Sequence, residues 1–419
     1  MTPSPRTSAA EPLPAMQQEI ARLAALPKVR SAMAWFQGQE AQFTRWQLEV
    51  AGIAAPPFGE RARSVWLAEK FSTLGLRNVE QDNIGNVFGS HAAVADSCVS
   101  ISAHLDTVFP AGTALDPRRQ GRKLYGPSVS DNAAGITALL AVAAAVVQFD
   151  LLSARSLLFI GNVGEEGEGD LRGMRRIFSD SPWKDSITAS IVIDGAGTET
   201  IVAEALGSRR FEVIIRGPGG HSWSDFGAPN PIIALARAIH LFSQTRLPPS
   251  PKTTFNIGVI HGGTSVNSIP ESASMRVDIR STSAFEIGRL ELELRRSIKQ
   301  ASEEEGNRCS KSHNPLPVAG LDPEIVAIGN RPGGELLPNS RILQIARVVD
   351  AHLGNPAHVQ RASTDANIPI SLGREAIAIG AGGTGGGAHT LQEWFDTTGR
   401  ELGLQRILLI VLAMAGTLK

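Results

Sequence analysis

Residues 131–162 read DNAAGITALLAVAAAVVQFDLLSARSLLFIGN. The first half is Ala-rich and apolar on every side, with its longest unbroken run at Ala138–Val147. That run falls well short of the ~20 apolar residues a membrane span requires. It predicts a buried helix from near Asp131 to Phe149. The last seven residues, Ser156–Asn162, have the short apolar pattern of a buried strand. Working outward, Val99–Ala103 and Ser190–Asp194 are runs of the same kind. Strands separated by helix-length segments predict an α/β fold, a mainly parallel sheet with helices on both faces. In such sheets functional groups collect beyond the strand ends.

The flanks extend this picture. Met16–Gly75 has helical spacing, Glu375–Gly380 reads as a further strand, and Ile407–Ala415 as a C-terminal helix. Between them the pattern changes. Phe211–Arg216 reads as a strand and Pro231–Gln244 as a helix. Thr254–His261 and Ala273–Arg280 are two strands, Ala284–Glu305 a long charged helix and Glu324–Ile328 a last strand. The order β-α-β-β-α-β is that of a ferredoxin-like α+β sandwich. The sequence therefore predicts a catalytic domain in two pieces, residues 1–207 and 331–419, with residues 208–330 inserted as a lid. Residues 1–16, rich in Pro, Ser and Ala, are expected to form a loose tail.

Composition excludes several classes. Forty Lys plus Arg against 41 Asp plus Glu give a formal net charge of -1, which argues against nucleic-acid or membrane-surface binding. Two cysteines, Cys98 and Cys309, make neither a disulfide framework nor a Cys-based metal site. No apolar segment has the length of a signal peptide, so a cytoplasmic location is expected.

Five segments carry His, Asp or Glu at or just beyond predicted strand ends. In HLDTV (104–108), His104 and Asp106 are two apart and point the same way on a strand. The carboxylate can then accept an imidazole N–H and fix the ring that faces a metal. In GPSVSDNAAG (126–135), Asp131 precedes an apolar helix, where taken alone it is an ordinary N-cap. Glu165 and Glu166 are adjacent acids after a buried strand, costly unless a cation or proton neutralises them. Asp194 ends an apolar strand, and His389 follows the Gly-rich run Gly382–Gly387. Imidazole and carboxylate donors without thiolate suit zinc, cobalt or manganese. Two ions would need a shared ligand, for which Asp131 is central. One acid of the Glu165–Glu166 pair can bind metal while the other serves as a base.

The order HLDTV, GPSVSDNAAG, EEGEGDLRG (165–173), VIDG (192–195) and a late Gly-rich His resembles the zinc peptidase and deacylase family. That family includes carboxypeptidase G, peptidase T, acetylornithine deacetylase and succinyl-diaminopimelate desuccinylase. The similarity extends over roughly residues 60 to 415. It implies that His104 and Asp194 bind one metal, Glu166 and His389 the other, and Asp131 both. It implies Glu165 as general base and Asp106 as the residue that orients His104. GPGGHS (217–222) resembles a lid motif whose His, here His221, stabilises the oxyanion. GGTSVNSIP (262–270) resembles a second, implicating Asn267 in substrate contact, and Arg280 matches a substrate-carboxylate arginine. A homodimer formed through the lid is also implied. The chain has Asn132-Ala133-Ala134 where many members place a Lys, and STDAN at 363–367. Both lean toward the peptidase T-like and dipeptidase-like branches. The expected activity is hydrolysis of a peptide or N-acyl amino-acid bond. Alternatives are a small-metabolite N-deacylase and a non-catalytic ligand-binding relative.

Overall fold

The computed structural model of the chain describes residues 14–91, 97–310 and 320–416. Tertiary contacts divide it into two units, residues 206–334 and the segments on either side of them. The first helix, Pro14–Ala25, starts inside the stretch expected as a tail and buries Met16. Residues 1–13 lie outside the described part. Three more helices follow at Pro27–Gly38, Glu40–Ala51 and Arg61–Leu74, breaking the helical region predicted over 16–75 at Pro27, Gln39 and the Pro-rich turn after Ala51.

The larger unit is built on a nine-stranded sheet. At its centre the strands Ser156–Asn162, Cys98–His104, Ile187–Ile193 and Glu375–Ile379 run parallel in that spatial order. Antiparallel strands flank them, Val87–His91 on one side and Thr200–Ala205 on the other. Because side chains alternate along a strand, each central strand feeds two cores. Leu157 and Phe159 join Val99 and Ile101 in the core under the helices Ala133–Gln148 and Arg400–Ala415. Leu158 and Ile160 point the other way, onto Met174 and Ile177 of the helix Arg172–Asp180. Helices thus cover both faces, as the alternation of elements requires.

The helix Ala133–Gln148 is buried nearly throughout, and Arg400–Ala415 is buried over most of its length. Parallel register brings the C-terminal ends of the central strands to one edge. His104 is paired with Asn162, and Ile193 with Ile379. A small second sheet, Arg118–Gln120, Lys123–Tyr125, Thr384–Gly386 and Trp394–Asp396, carries the chain around His389. No helix among the described residues is long and apolar enough to cross a membrane.

The second unit has its own core, in which Phe211, Val213 and Ile215 pack with Leu290, Leu294 and Phe242. Its four-stranded antiparallel sheet runs Thr253–Gly262, Ser272–Ser281, Gly207–Arg216, Asp322–Arg331. With helices Pro231–Ser243 and Ala284–Ser310 in the crossovers, this is the ferredoxin-like order. The last strand, Asp322–Arg331, is longer than the predicted Glu324–Ile328, because its ends Asp322, Pro323, Gly329, Asn330 and Arg331 carry no apolar residue.

Candidate metal centre

Each acid and histidine of the larger unit's site is delivered by a strand end or the turn beyond it. His104 closes its strand, Asp194 follows Ile193, and Glu165 and Glu166 lie in the loop after Asn162. Asp131 stands two residues before the buried helix, and it is not that helix's cap. Asn132 is: its side chain accepts the Gly135 N–H at 3.1 Å, also accepts that of Gly195 at 3.2 Å, and donates to the Ile193 carbonyl at 2.9 Å. The Asp131 carboxylate is thereby left for the site.

That carboxylate lies between two imidazoles. Asp131 Oδ1 is 3.0 Å from His104 Nε2, and Oδ2 is 3.2 Å from His389 Nε2. A second acid stands beside each ring. Asp194 Oδ1 is 3.8 Å from His104 Nε2, and Glu166 Oε1 is 3.0 Å from His389 Nε2. In the triads His104–Asp131–Asp194 and Asp131–Glu166–His389, one ligand atom from each residue lies within 4.8 Å of the others. A third such triad is His104–Glu165–Glu166. Three nitrogen and oxygen donors per triad, without thiolate, fit a zinc-like ion with room for water or substrate.

The other ring nitrogen of His104 faces a carbonyl. Nδ1 donates to the Asp106 backbone oxygen at 3.1 Å, which leaves Nε2 to face Asp131. The Asp106 carboxylate, fully buried, is 3.6 Å from Nδ1. Its closer partners are the backbone N–H groups of Glu165 at 2.9 Å and Glu166 at 2.6 Å. Asp106 therefore ties the Glu165–Glu166 turn to the end of the His104 strand.

Electrostatics report the same crowding. Burial pushes the Glu166 carboxyl up. Burial also opposes charge on His104, yet its bonded carboxylates Asp106, Asp131 and Asp194 hold the imidazolium well above the ordinary histidine range. The hydrogen bond to Asp131 lifts the half-exposed His389 to about 9. Protons on the two rings offset part of the acids' charge, and a divalent ion would offset more.

Several residues beneath the site carried no recognised role in the sequence. Asp365, in the STDAN segment, is fully buried, accepts a bond from Asn162 Nδ2 at 2.6 Å and is pushed up to about 7 by burial. Glu393 is fully buried and likewise pushed up to about 7 by burial. Arg63 is also fully buried, its pKa lowered by burial to about 10, with Asp106 and Glu393 favouring its charge. Spacing could have flagged only Glu393, four residues after His389. Arg63 reads in sequence as one more charge on an amphipathic helix.

The second unit brings two of its three candidates together. Gly220–His221 pairs with Ser268–Ile269, and the Ser222 N–H donates to the Asn267 carbonyl at 2.9 Å. His221 Nδ1 accepts the Trp223 N–H at 3.2 Å, and Asn267 Oδ1 accepts from Ser265 Oγ at 2.6 Å. Both residues are exposed, beside a cavity of about 520 Å³ lined in part by Gly220, Gly263 and Ser268. Arg280 is not in this group. It lies eight residues beyond Ser272 on the same strand, ~26 Å at the usual rise. Its Nε there donates to Asp278 at 2.6 Å.

Comparison with known proteins agrees with this architecture. A family profile described as peptidase dimerisation domain matches residues 204–306, and one described as peptidase family M28 matches residues 86–210. A protein named probable carboxypeptidase, from Aspergillus clavatus, is 31% identical over 218 residues. The match covers 46% of this chain and 47% of that protein, so the chain spans about half the relative's length. Aminopeptidase PepT of Bacillus cereus superposes with a TM-score of 0.70 at 19% identity, covering 90% of this chain and 99% of PepT. The Bacillus subtilis YXEP protein, described as a dinuclear metal binding peptidase from the M20 family, superposes at 0.64 with 15% identity over 90% of this chain and 99% of its own. At such identities the structures establish the shared fold. The two profiles and the shared fold support the resemblance to zinc peptidases seen in the sequence.

Proposed function

We propose that the chain is a di-metal hydrolase that cleaves a peptide or N-acyl amino-acid amide bond. The observation that carries the reading is Asp131, whose two oxygens face different histidines while Asp194 and Glu166 complete the two triads. His104, Asp131 and Asp194 would hold one divalent ion, and Asp131, Glu166 and His389 the other. Zinc is the first choice, with cobalt or manganese as alternatives. Bound there, such ions supply Lewis acidity toward a water molecule and the scissile carbonyl.

The chain's residues do the rest. Glu165 stands next to a ligand and outside both triads that share Asp131, where it takes a proton from the attacking water. As the C–N bond breaks it returns that proton to the leaving amine. Asp106 keeps Glu165 in place through the backbone of the turn. His221 donates to the oxyanion and Asn267 contacts the substrate, while Arg280, far from both along its strand, exchanges Asp278 for a substrate carboxylate where a second copy of the chain supplies the His221–Asn267 pair, its planar fork fitting that group. Residues 206–334 form the homodimer contact, in keeping with the dimerisation-domain profile. A cytoplasmic setting completes the proposal, in keeping with only two cysteines and a buried, unpaired Cys98.

Glu165→Gln tests the centre of this reading. It should bind metal with parental stoichiometry and lose ~10²–10⁴-fold in kcat, the usual worth of a positioned base. Near-parental turnover would refute the assignment. Metal-loaded protein assayed against dipeptides, tripeptides and N-acyl amino acids separates peptidase from N-deacylase by its products.

A further inference from the structure

Glu393 is a buried acid to which the reaction gives no task. It sits four residues after His389, immediately before the strand Trp394–Asp396, and is 0% exposed. Its Oε1 accepts the backbone N–H groups of Ser130 and Asp131, each at 2.7 Å. Its Oε2 accepts that of Ser128 at 3.0 Å, and its own carbonyl accepts the Gly126 N–H at 3.0 Å. One side chain thus takes three amide protons from a four-residue loop. That loop ends on the acid shared by both triads.

Other buried groups hold the loop from the far side. Arg63 Nη2 donates to Ser128 Oγ at 3.2 Å, and Gln47 Nε2 to the Val129 carbonyl. Arg63 Nη1 also donates to the carbonyl of Leu105 at 3.0 Å, the residue between His104 and Asp106. The Asp131 loop and the His104 strand end are therefore fastened to the same guanidinium. A carboxylate suits Glu393's place because all three of its partners are donors. An amide of the same size would turn its NH₂ toward an N–H, donor against donor.

We propose that Glu393 is a positioning residue for the metal centre. By fixing the backbone of residues 128–131 it sets the direction of the Asp131 carboxylate, and hence the spacing of the two ion sites. It touches neither ion nor substrate. This role rests on the di-metal reading above.

The test is uptake of Co²⁺ by metal-stripped full-length protein, followed by visible absorption and titration calorimetry. The parental chain should take up two equivalents. Glu393→Gln should keep the parental far-UV dichroism, bind Co²⁺ about 10–100-fold more weakly, as loss of an outer partner of a metal ligand does, and show an altered absorption band. If it binds both equivalents with parental affinity and spectrum, the positioning role is overturned. A parental chain that takes up no Co²⁺ overturns the di-metal reading, and this role with it. Should the variant fail to fold, hydrogen exchange of the metal-stripped parent decides. The amides of Ser128, Ser130 and Asp131 should then be as protected as those of the helix Ala133–Gln148, and exchange at the rate of exposed loops would refute the clamp.

Discussion

Asp131 and Asn132 divide between them two tasks that one side chain cannot perform. A capping acid spends its oxygen on a helix N–H, and here Asn132 does that for Gly135. Asp131 can then face both imidazoles. Its substitution should be felt twice: Asp131→Asn is expected to lose both metal equivalents, whereas Asp194→Asn or Glu166→Gln should lose one. Elemental analysis after dialysis reads this directly, and equal losses in all three variants would contradict a shared ligand. Cys98 makes a contrasting prediction. Burial pushes its thiol up to about 12, so the thiolate is scarce at pH 8. Peptide mapping after alkylation should find Cys98 unmodified in the native protein and modified in denaturant.

At the scale of elements, the start of the buried helix is the most constrained point. A Cβ on Gly135 would lie 2.1 Å from Asn132 Oδ1. Gly135→Ala should therefore destabilise, because overpacking of ~1–3 kcal/mol exceeds the ~1 kcal/mol that Ala gains over Gly in a helix. A raised Tm would show that the cap relaxes freely. In the other unit, the helix Ala284–Ser310 carries Glu305, whose side chain is fully buried against Arg308. Burial pushes its carboxyl up, but bonds from Arg308 and the Asn230 N–H, with the Arg237 charge, hold it below the usual glutamate range. A depressed carboxylate contributes stability above its unfolded pKa, and that contribution disappears as pH falls through the folded value. Glu305→Gln should lower the Tm at pH 7, with the difference closing below about pH 4.

At the scale of the molecule, every residue of the three metal triads belongs to the unit outside residues 206–334. Chelation should lower the thermal stability of that unit and spare the other. Ligand at 100 times its Kd contributes about 2.7 kcal/mol, enough to move a transition by several degrees. Calorimetry with and without chelator would show one shifted transition and one fixed, and two equal shifts would exclude this distribution. The α/β alternation and the βαββαβ order were legible because burial imposes its periods on the chain directly. The central apolar strands and the all-apolar helix at 133–148 could hardly be read otherwise. The ends of the strand Asp322–Arg331 could not be read, since Asp322, Pro323, Gly329, Asn330 and Arg331 add no apolar signal to the core run.

The sequence by itself determined which residue types could hold metal and in what order they occur. His104, Asp131, Glu166, Asp194 and His389 stand at element ends, and that placement is local. Which atoms meet was decided only in three dimensions. Asp131 as the acid between two rings depends on Asn132 taking the cap, a contest between neighbours that composition cannot settle. Asp106 reaching the Glu165–Glu166 backbone depends on parallel register between two strands. The tasks of Glu393 and Arg63 were hidden for a related reason. Glu393 accepts backbone N–H groups of a distant loop, and Arg63 donates to two backbone carbonyls and the Ser128 hydroxyl, so neither pairing has a signature in the sequence.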